Sequence, residues 1–352
     1  MKICLVSPLP LPMGGIATWT EAYVTSDIAK KHKVKVIDTS VRGKRQKNVQ
    51  KINISEEFKR NINIIKKMKK ELNNENYNLI HLNTSCSLMG MLRDLYMIYL
   101  SKQKKIKIVT HFHCDTKYMI NKKIKEVLFS QICKKSNELF CLNNNSLKHI
   151  KGICDTNTTL FPNFIQLEKD NNIKIINLNN KIDNIIFAGH VIKTKGILEI
   201  LEVAKMKPEI IFTIVGAFSD NHMVDEAKKL SNVILVGEKS KNEVLHLMGN
   251  SDLFLFPSHN EGFPNVILEA MSKKLPIIAT KVGAIPDILD NDKNSLVDVG
   301  DIEKILNLID VLDNCNLREE LVRKNYLKLQ QKYELNNVIK SIFNKYESII
   351  SR

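Results

Sequence analysis

Residues 251–283, SDLFLFPSHNEGFPNVILEAMSKKLPIIATKVG, decide the fold class of this chain. The apolar run at 252–258 predicts a buried strand, residues 265–274 predict a helix, and residues 275–283 predict a second strand. Strands that alternate with helices indicate a parallel sheet with helices on both faces. The stretch therefore predicts one unit of an α/β domain.

The same alternation extends outward from this stretch in both directions. A polar, asparagine-rich segment at 161–184 separates two sets of strands and is a plausible linker between domains. The chain from about Asp301 is predicted to be helical. Two doubly wound parallel sheets in series follow, and such sheets bind ligands at the carboxyl ends of their strands, here in a cleft between two domains. The remaining predicted strands are 2–7, 33–39, 78–83, 105–113, 138–143, 185–189, 210–216 and 232–237.

Length and composition are those of a globular protein with about two domains. The chain has 352 residues, of which 43% are hydrophobic and 26% charged. No apolar run reaches the roughly 20 residues of a membrane span, and the first residues do not resemble a signal peptide. The seven cysteines include no Cys-x-x-Cys pair and are expected to be reduced, mostly buried thiols. We therefore expect a cytoplasmic protein.

The positive charge is concentrated in the first half of the chain. Residues 1–165 hold 29 of the 53 lysines and arginines but only 12 of the 38 acidic residues. Such asymmetry favours an anionic partner for the first half, and a solvated lysine-rich surface is the alternative. Residues 54–72 predict a basic helix with Ile54, Phe58, Ile62, Ile65, Met68 and Leu72 at helical spacing. Its apolar stripe can dock on the sheet while its lysines contact an anionic membrane surface.

Two glycine-containing loops could bind phosphate groups. Gly14 and Gly15 follow a strand and precede a helix, so backbone amides could approach an anion there, although a plain tight turn fits equally. Gly189 ends a later strand, and Lys195 with Gly196 opens a helix. A lysine at that place can neutralise a phosphate with help from the helix dipole, and a solvated lysine is the alternative.

Two further loops carry polar groups at the ends of strands. Glu261 and Glu269 flank a turn in which Pro264 suits the first helical position, so the helix amides face the same region as Glu261. Such carboxylates can accept hydrogen bonds from sugar hydroxyls, or they can be ordinary surface glutamates. His111 and His113 point to the same side of their strand, near Asp115, but a third metal ligand with suitable spacing is missing. A polar lining of the cleft is the favoured interpretation, and no metal is expected.

These four loops, in this order, resemble those of the retaining glycosyltransferases of family 4, whose members have the two-Rossmann-domain GT-B architecture. FAGHVIKTKG (187–196) is similar to the Gly-Arg-x4-Lys-Gly phosphate loop of the family, and residues 251–289 are similar to its Glu-x7-Glu block with the following strand and loop. The N-terminal half matches more loosely. The resemblance implies a GT-B protein with an acceptor-binding domain at 1–165, a nucleotide-sugar-binding domain at 166–330 and a C-terminal helix at 331–352 that packs back on the first domain.

The resemblance also implies roles for individual residues. Lys195 would bind the donor diphosphate, Glu261 would contact the transferred sugar and Glu269 would hold the nucleotide ribose. The amide of Gly15 would approach the diphosphate, and His113 would line the reaction centre. The implied catalytic residues are His113, Glu261 and Lys195, and the implied substrate-binding residues are Gly14, Gly15, Gly189, His190, Gly262, Phe263, Pro264, Asn265 and Glu269.

The chain departs from the family pattern at the phosphate loop. His190 stands where the family has an arginine, and a histidine is not permanently charged, so the diphosphate would depend more on Lys195 and Lys193. The resemblance implies a metal-independent hexosyl- or N-acetylhexosaminyltransferase without a cofactor that uses a UDP- or GDP-sugar. Attack on the same face would retain the anomeric configuration. The acceptor is expected to be a lipid-linked glycan for capsule, O-antigen or exopolysaccharide, at the inner face of the plasma membrane.

Three other functions remain open from the sequence alone. A nucleotide-sugar epimerase can share the architecture and needs no second substrate, so release of nucleoside diphosphate only in the presence of an acceptor would favour transfer. A non-catalytic nucleotide- or glycan-binding module would fit the histidine at position 190. A nucleic-acid binder fits the charge, but the chain has no recognition motif and only 6% aromatic residues, so no nucleic-acid partner is expected.

Overall fold

The computed structural model describes residues 1–11, 14–41, 54–84, 86–167, 181–218 and 220–352. The chain forms two compact units. Unit 1 contains Met1–Phe164 together with Leu335–Arg352, and unit 2 contains Ile165–Glu334. The boundaries thus lie after residues 164 and 334, where the sequence predicted 165 and 330. Most of the predicted linker, residues 168–180, lies outside the described residues.

Unit 1 is a parallel six-stranded sheet in the order β2-β1-β3-β4-β5-β6, with helices between its strands. Because the chain runs from β1 to β2 and then returns to β3 on the other side of β1, the strand order reverses between β1 and β3. Such a switch point leaves a crevice at the carboxyl ends of the two strands. The elements are β1 Lys2–Ser7, α1 Gly15–Thr25, α2 Asp27–Lys30, β2 Lys33–Asp38, α3 Ile54–Asn74, β3 Leu79–Thr84, α4 Leu88–Gln103, β4 Lys107–Phe112, α5 Thr116–Met119, α6 Lys123–Lys135, β5 Glu138–Cys141, α7 Asn144–Lys151 and β6 Thr158–Leu160.

The last helix of the chain, α15 (Leu335–Ile350), belongs to unit 1. Its apolar side, including Ile342 and Phe343, joins α1 and the strands in one buried cluster. The hydroxyl of Tyr346 forms a hydrogen bond with Nδ1 of His81 on β3. One face of the first sheet is therefore completed by residues from the far end of the chain.

Helix α3 buries a different face from the one that the sequence predicted. Met68 and Leu72 are buried as expected, but Ile54 and Phe58 are 74% and 56% exposed. The buried residues in the first half of the helix are instead Glu57, Asn61 and Ile64. Glu57 can be buried there because its carboxylate pairs with Arg60. The apolar side chains at the start of α3 therefore face solvent together with its lysines.

Unit 2 repeats the plan with a second parallel six-stranded sheet in the order β12-β11-β10-β7-β8-β9. The chain runs from β7 to β8 and β9 and then returns to β10 on the other side of β7, so its switch point lies between β7 and β10. The elements are β7 Asn184–Ala188, a 3-10 turn Lys193–Lys195, α8 Ile197–Met206, β8 Ile211–Val215, α9 Asn221–Lys228, β9 Val233–Gly237, α10 Lys241–Gly249, β10 Leu253–Phe256, α11 Asn265–Ser272, β11 Ile277–Thr280, α12 Ile285–Ile288, β12 Leu296–Val297, α13 Ile302–Val311, α14 Cys315–Lys328 and a π-helical turn Leu329–Tyr333.

The predicted fold class is confirmed, because both units are doubly wound parallel α/β sheets. Strand β10 is apolar throughout and β11 is apolar up to Thr280, as is typical of strands that helices cover on both faces. Among the described residues, no helix is both long enough and apolar enough to span a membrane. All seven cysteines have free thiols.

Candidate functional site

The switch point of unit 2 brings together two residues that are 66 positions apart in the sequence. Lys195 follows β7 and Glu261 follows β10, and these strands are neighbours in the sheet. The Lys195 ammonium Nζ lies 2.5 Å from Oε1 of Glu261. Both side chains are largely shielded, with exposed fractions of 24% and 11%. The pair gives this crevice one cation and one carboxylate that a ligand can reach.

The loops that carry this pair are locked together through their backbones. Gly196 has φ of +78°, and a Cβ on it would lie 2.1 Å from the carbonyl oxygen of Pro257. Only glycine allows that close approach. The backbone amide of His259 donates to the carbonyl of Thr194 at 3.0 Å. The position of Lys195 relative to Glu261 is thus set by backbone contacts on both sides.

A second side-chain contact connects the same loop to helix α8. Nε2 of His259 lies 2.5 Å from Oε1 of Glu199, a buried residue in the first turn of α8. The other carboxylate oxygen of Glu199 has no hydrogen-bond partner among the described residues. His259 is thus the hydrogen-bond partner that allows the Glu199 carboxylate to be buried, and the contact holds the loop after β10 against α8. The sequence pattern alone indicates no role for His259.

The turn after Glu261 leads into α11, which starts at Asn265 as expected. Pro264 precedes the first helical residue, one position earlier than the sequence predicted, and no side chain among the described residues caps this end. The positive end of the helix dipole therefore lies next to the turn that carries Glu261. The backbone of Gly283 packs directly against this turn. Its φ is +55°, and a Cβ at this position would lie 2.1 Å from the carbonyl oxygen of Glu261. The amide of Ala284 donates to the carbonyl of Gly262 at 3.0 Å.

Glu269 is separate from the Lys195–Glu261 pair. Its side chain is 19% exposed, and its nearest cation is Nζ of Lys241 at 4.0 Å. Burial raises the pKa of Glu269, and Lys241 partly counteracts this shift. A carboxylate that loses solvent without gaining a close cation is available to accept hydrogen bonds from ligand hydroxyls.

The other predicted residues of this loop region are placed as follows. Gly189 directly follows β7, and its amide donates to the carbonyl of Val215 at 2.9 Å. Gly216, which the sequence analysis missed, has φ of +145° and lets its backbone contact that of Gly189. His190 and Lys193 are exposed. The structure therefore places the histidine at 190 where a ligand could reach it, but the described residues do not fix its side chain by a hydrogen bond.

In unit 1, the predicted histidine lies at the carboxyl end of β4 and is held by an amide. Nε2 of His113 lies 3.0 Å from Oδ1 of Asn83, and Nδ2 of Asn83 donates to Oγ of Ser7 at 2.9 Å. Because an amide oxygen only accepts, Nε2 of His113 carries the proton and Nδ1 is left as an acceptor. Asn83 sets this tautomer, and the sequence analysis did not identify it.

His113 is one of three histidines that surround the single tryptophan. The ring of Trp19 lies 5.7 Å, 5.5 Å and 5.2 Å from the rings of His81, His111 and His113. Burial lowers the pKa of His111 to about 3, and it also lowers the pKa values of His81 and His113, with a further contribution from His111. All three rings are therefore neutral at physiological pH. The described residues contain no group of three or more side chains with the geometry of a metal site.

Gly14 and Gly15 lie at the switch point of unit 1, where Gly14 precedes α1 and Gly15 is its first residue. Together with the residues of unit 2 they complete the predicted set. Each unit therefore presents polar groups and a helix N-terminus at the place where a doubly wound sheet binds its ligand. Two Rossmann-like units with such sites in one chain define the GT-B class of α/β proteins.

Comparisons with known proteins identify the family within that class. Residues 168–342 match the model of the family described as glycosyl transferases group 1, and the chain belongs to this family. The capsular polysaccharide biosynthesis glycosyltransferase CapM of Staphylococcus aureus is 28% identical over 206 residues, which cover 53% of each protein. The UDP-Gal:alpha-D-GlcNAc-diphosphoundecaprenol alpha-1,3-galactosyltransferase of Escherichia coli is 28% identical over 291 residues, covering 72% of this chain and 73% of that protein.

Solved structures share the fold over almost the whole chain. A sucrose-phosphate synthase from Thermosynechococcus elongatus has a TM-score of 0.79 at 15% identity, with 99% of both chains covered. HepE from Anabaena, in complex with UDP, has a TM-score of 0.75 at 14% identity, with 99% of this chain and 100% of that chain covered. At these identities the structures establish the fold.

Proposed function

We propose that the protein transfers a sugar, with retention of anomeric configuration, from a UDP- or GDP-sugar to a lipid-linked glycan in surface polysaccharide synthesis. The observation that carries this proposal is the contact between Lys195 and Glu261 at the switch point of unit 2. A cation and a carboxylate side by side match the two parts of a nucleotide sugar that react, the diphosphate and the sugar ring. The UDP bound to HepE supports a nucleotide as the leaving group.

The residues of unit 2 would then form two groups, one that binds the donor phosphates and one that binds hydroxyl groups. Lys195 would leave Glu261 for the donor diphosphate, with the exposed His190 and Lys193 beside it. Glu261 would then be free to accept hydrogen bonds from hydroxyls of the transferred sugar, and backbone amides near Gly262 and Phe263 would contact the same sugar. Glu269 would hold the ribose hydroxyls, since its shielded carboxylate lies 4.0 Å from Lys241, beyond hydrogen-bond distance.

The chemical step depends on charge that develops on the leaving diphosphate. Lys195 and the amides at the start of α11 would stabilise that charge, so the proposal requires no metal ion. The acceptor hydroxyl would attack on the face of the departing phosphate, whose oxygen takes the hydroxyl proton as the new glycosidic bond forms. The neutral His113 would line the reaction centre with Nδ1 as an acceptor.

The lipid-linked acceptor and the membrane contact rest on unit 1. Helix α3 exposes Ile54 and Phe58 beside lysines such as Lys59 and Lys66. Apolar side chains with cations around them fit an anionic membrane surface. The E. coli relative is named for a diphosphoundecaprenol acceptor, and CapM is named for capsular polysaccharide synthesis. We propose peripheral contact with the inner face of the plasma membrane, and salt should weaken binding to anionic vesicles.

The experiment that tests the donor site compares Lys195→Met with Lys281→Met. Each variant removes a lysine from an ion pair in unit 2, but Lys281 pairs with Asp298 at the surface. A panel of UDP-, GDP- and dTDP-sugars first selects the donor by thermal shift. Lys195→Met should then lower kcat for sugar transfer by about 100-fold, the usual effect of losing one group that stabilises developing charge. Lys281→Met should stay within about twofold of the parent.

Two outcomes would contradict the proposal. Equal activity of the two variants would remove Lys195 from the site. Turnover of the nucleotide sugar to another nucleotide sugar at full rate without any acceptor would favour an epimerase over a transferase.

A further inference from the structure

Two of the seven cysteines, Cys86 and Cys114, are in contact through their sulfur atoms. The two Sγ atoms lie 3.0 Å apart, and both residues carry free thiols. Because the S–S bond of a disulfide is about 2.05 Å long, the sulfur atoms have to approach each other by only about 1 Å to form one. Neither thiol takes part in the proposed transfer reaction, and the pair is close enough for oxidation to join it.

The register of the first sheet brings these two residues together. Thr84 on β3 pairs with Phe112 on β4, and Cys86 and Cys114 each follow the end of their strand by two residues. The amide of His113 donates to the carbonyl of Thr84 at 3.0 Å, so the pairing continues beyond the ends of the strands. Neighbouring strands lie about 4.8 Å apart, and a disulfide joins Cα atoms that are about 4.4–6.8 Å apart. The strand spacing therefore suits a disulfide.

The two cysteines differ in backbone conformation and in burial. Cys86 has φ of +60°, in the left-handed region that residues other than glycine rarely adopt, and such conformations concentrate at functional sites. Its side chain is fully buried, whereas Cys114 is half-buried. Contact with the Cys114 thiol and burial both raise the pKa of Cys86, so this residue stays in the less reactive thiol form. An oxidant from solution therefore reacts first at Cys114.

We propose that Cys86 and Cys114 form a reversible oxidation site, at which hydrogen peroxide converts the two thiols to a disulfide. The sulfur of Cys114 attacks one oxygen of the peroxide, the O–O bond breaks, and the products are a sulfenic acid on Cys114 and water. The sulfur of Cys86 then attacks the sulfur of Cys114, and the departing hydroxide takes the Cys86 proton and leaves as a second water. The two thiols together lose two electrons, which reduce the peroxide.

The disulfide would disturb the reaction centre, because the two segments that it joins carry Asn83 and His113. His113 directly precedes Cys114, and its Nε2 lies 3.0 Å from Oδ1 of Asn83. Bond formation moves the two sulfur atoms together by about 1 Å, and a displacement of that size at a reacting centre can lower the rate about 100-fold. Oxidation should therefore inhibit sugar transfer, an effect that rests on the proposed function, and reduction should restore it.

The first test measures the disulfide itself in the full-length protein, without donor or acceptor. Reduced protein is treated with hydrogen peroxide, the remaining thiols are blocked with N-ethylmaleimide, and the digested peptides are analysed by mass spectrometry. The expected product is a pair of peptides joined through Cys86 and Cys114, with two of the seven thiols lost. Dithiothreitol should restore both thiols. Fluorescence of Trp19, whose ring lies 5.2 Å from that of His113, should change on oxidation and recover on reduction.

The second test measures kcat/KM for sugar transfer in Cys114→Ser and Cys141→Ser after the same treatment. Cys141 is the matched control, because it is a buried cysteine on the neighbouring strand β5 whose Sγ contacts the carbonyl oxygen of Asn143 at 3.9 Å. Peroxide should lower kcat/KM at least about tenfold in the parent and in Cys141→Ser, with recovery in dithiothreitol. Cys114→Ser cannot form the disulfide, so its kcat/KM should change less than about twofold.

Three outcomes would overturn the proposal. The first is the absence of the linked peptides, and the second is an equal loss of kcat/KM in the parent and in Cys114→Ser. The third is a disulfide that forms without any change in kcat/KM or in Trp19 fluorescence. The linked peptides and the fluorescence change do not depend on sugar transfer. They would therefore support the oxidation site even in a protein whose activity is unaffected by Lys195→Met, the result that contradicts the proposed function.

Discussion

Replacement of His111 by leucine should reduce, by about one, the number of protons that the chain takes up when it unfolds at acidic pH. His111 is fully buried, with an exposed fraction of 0%. Its pKa is lowered to about 3 by burial, whereas an unfolded chain has a histidine pKa near 6.5. The unfolded state therefore binds more protons below about pH 6.5, and folding stability falls as the pH decreases from there toward 3.

The size of the effect follows from the two pKa values. At about pH 5 the unfolded ring is protonated and the folded ring is neutral, which costs about 2 kcal/mol relative to pH 7.5 at 1.36 kcal/mol per pH unit. His81 and His113 have lowered pKa values as well and add to the loss in the same direction. The leucine variant should therefore lose about 2 kcal/mol less than the parent between these two pH values.

Urea unfolding at a series of pH values measures this difference. Trp19 is the single tryptophan and lies 5.5 Å from His111, so its fluorescence reports the unfolding of unit 1. Phe140→Leu is the control for lost packing, because its ring lies 5.7 Å from His111 and carries no titratable group. That control should lower stability by about 1–3 kcal/mol at every pH. Parallel pH profiles for His111→Leu and the parent would refute the assignment of the buried neutral ring.

Two further predictions concern positions that shape the sites. Gly283→Ala should abolish donor binding, because its Cβ would lie 2.1 Å from the carbonyl of Glu261. Gly300→Ala is the control, since Gly300 has φ of +79° but no atom within 4 Å of an added Cβ. This control should lower the free energy of unfolding in urea by only about 1 kcal/mol and leave donor binding intact. Asn83→Asp should place a carboxylate 3.0 Å from Nε2 of His113 and raise the lowered pKa of that ring. Its kcat/KM should then decline from neutral pH downward while that of the parent stays level, and identical profiles would argue against a neutral His113.

The sequence predicted most strands because their signal is local. An apolar run such as LFLF in β10 is buried on both faces and can be recognised without knowing its neighbours. The two strands that were missed lack that signal. β6 is not buried along its length, and β12 has two residues. Their positions depend on pairing with β5 and β11, which is a long-range property.

The sequence indicated which residues form the candidate sites, but not which of these residues are in contact. Spacing and family resemblance indicated Lys195 and Glu261, yet their contact depends on β7 and β10 being neighbours. Glu199 and His259 are 60 positions apart, and only the fold shows that they pair. The buried face of helix α3 could not be predicted in this way. Glu57 is buried there and pairs with Arg60, and a buried charged pair has no hydrophobic signature in the sequence.

The helix α15 has a consequence for the order in which the chain folds during synthesis. Unit 2 is continuous in sequence, so all of its strands have been synthesised before helix α15 is made. Most of unit 1 is synthesised first, but one face of its sheet stays uncovered until residues 335–350 are made. During that interval the apolar side chains around Trp19 and His81 lack Tyr346 and Phe343. The first unit to be translated is thus the last to be completed, and a nascent chain stalled before position 335 is the form that would most need a chaperone.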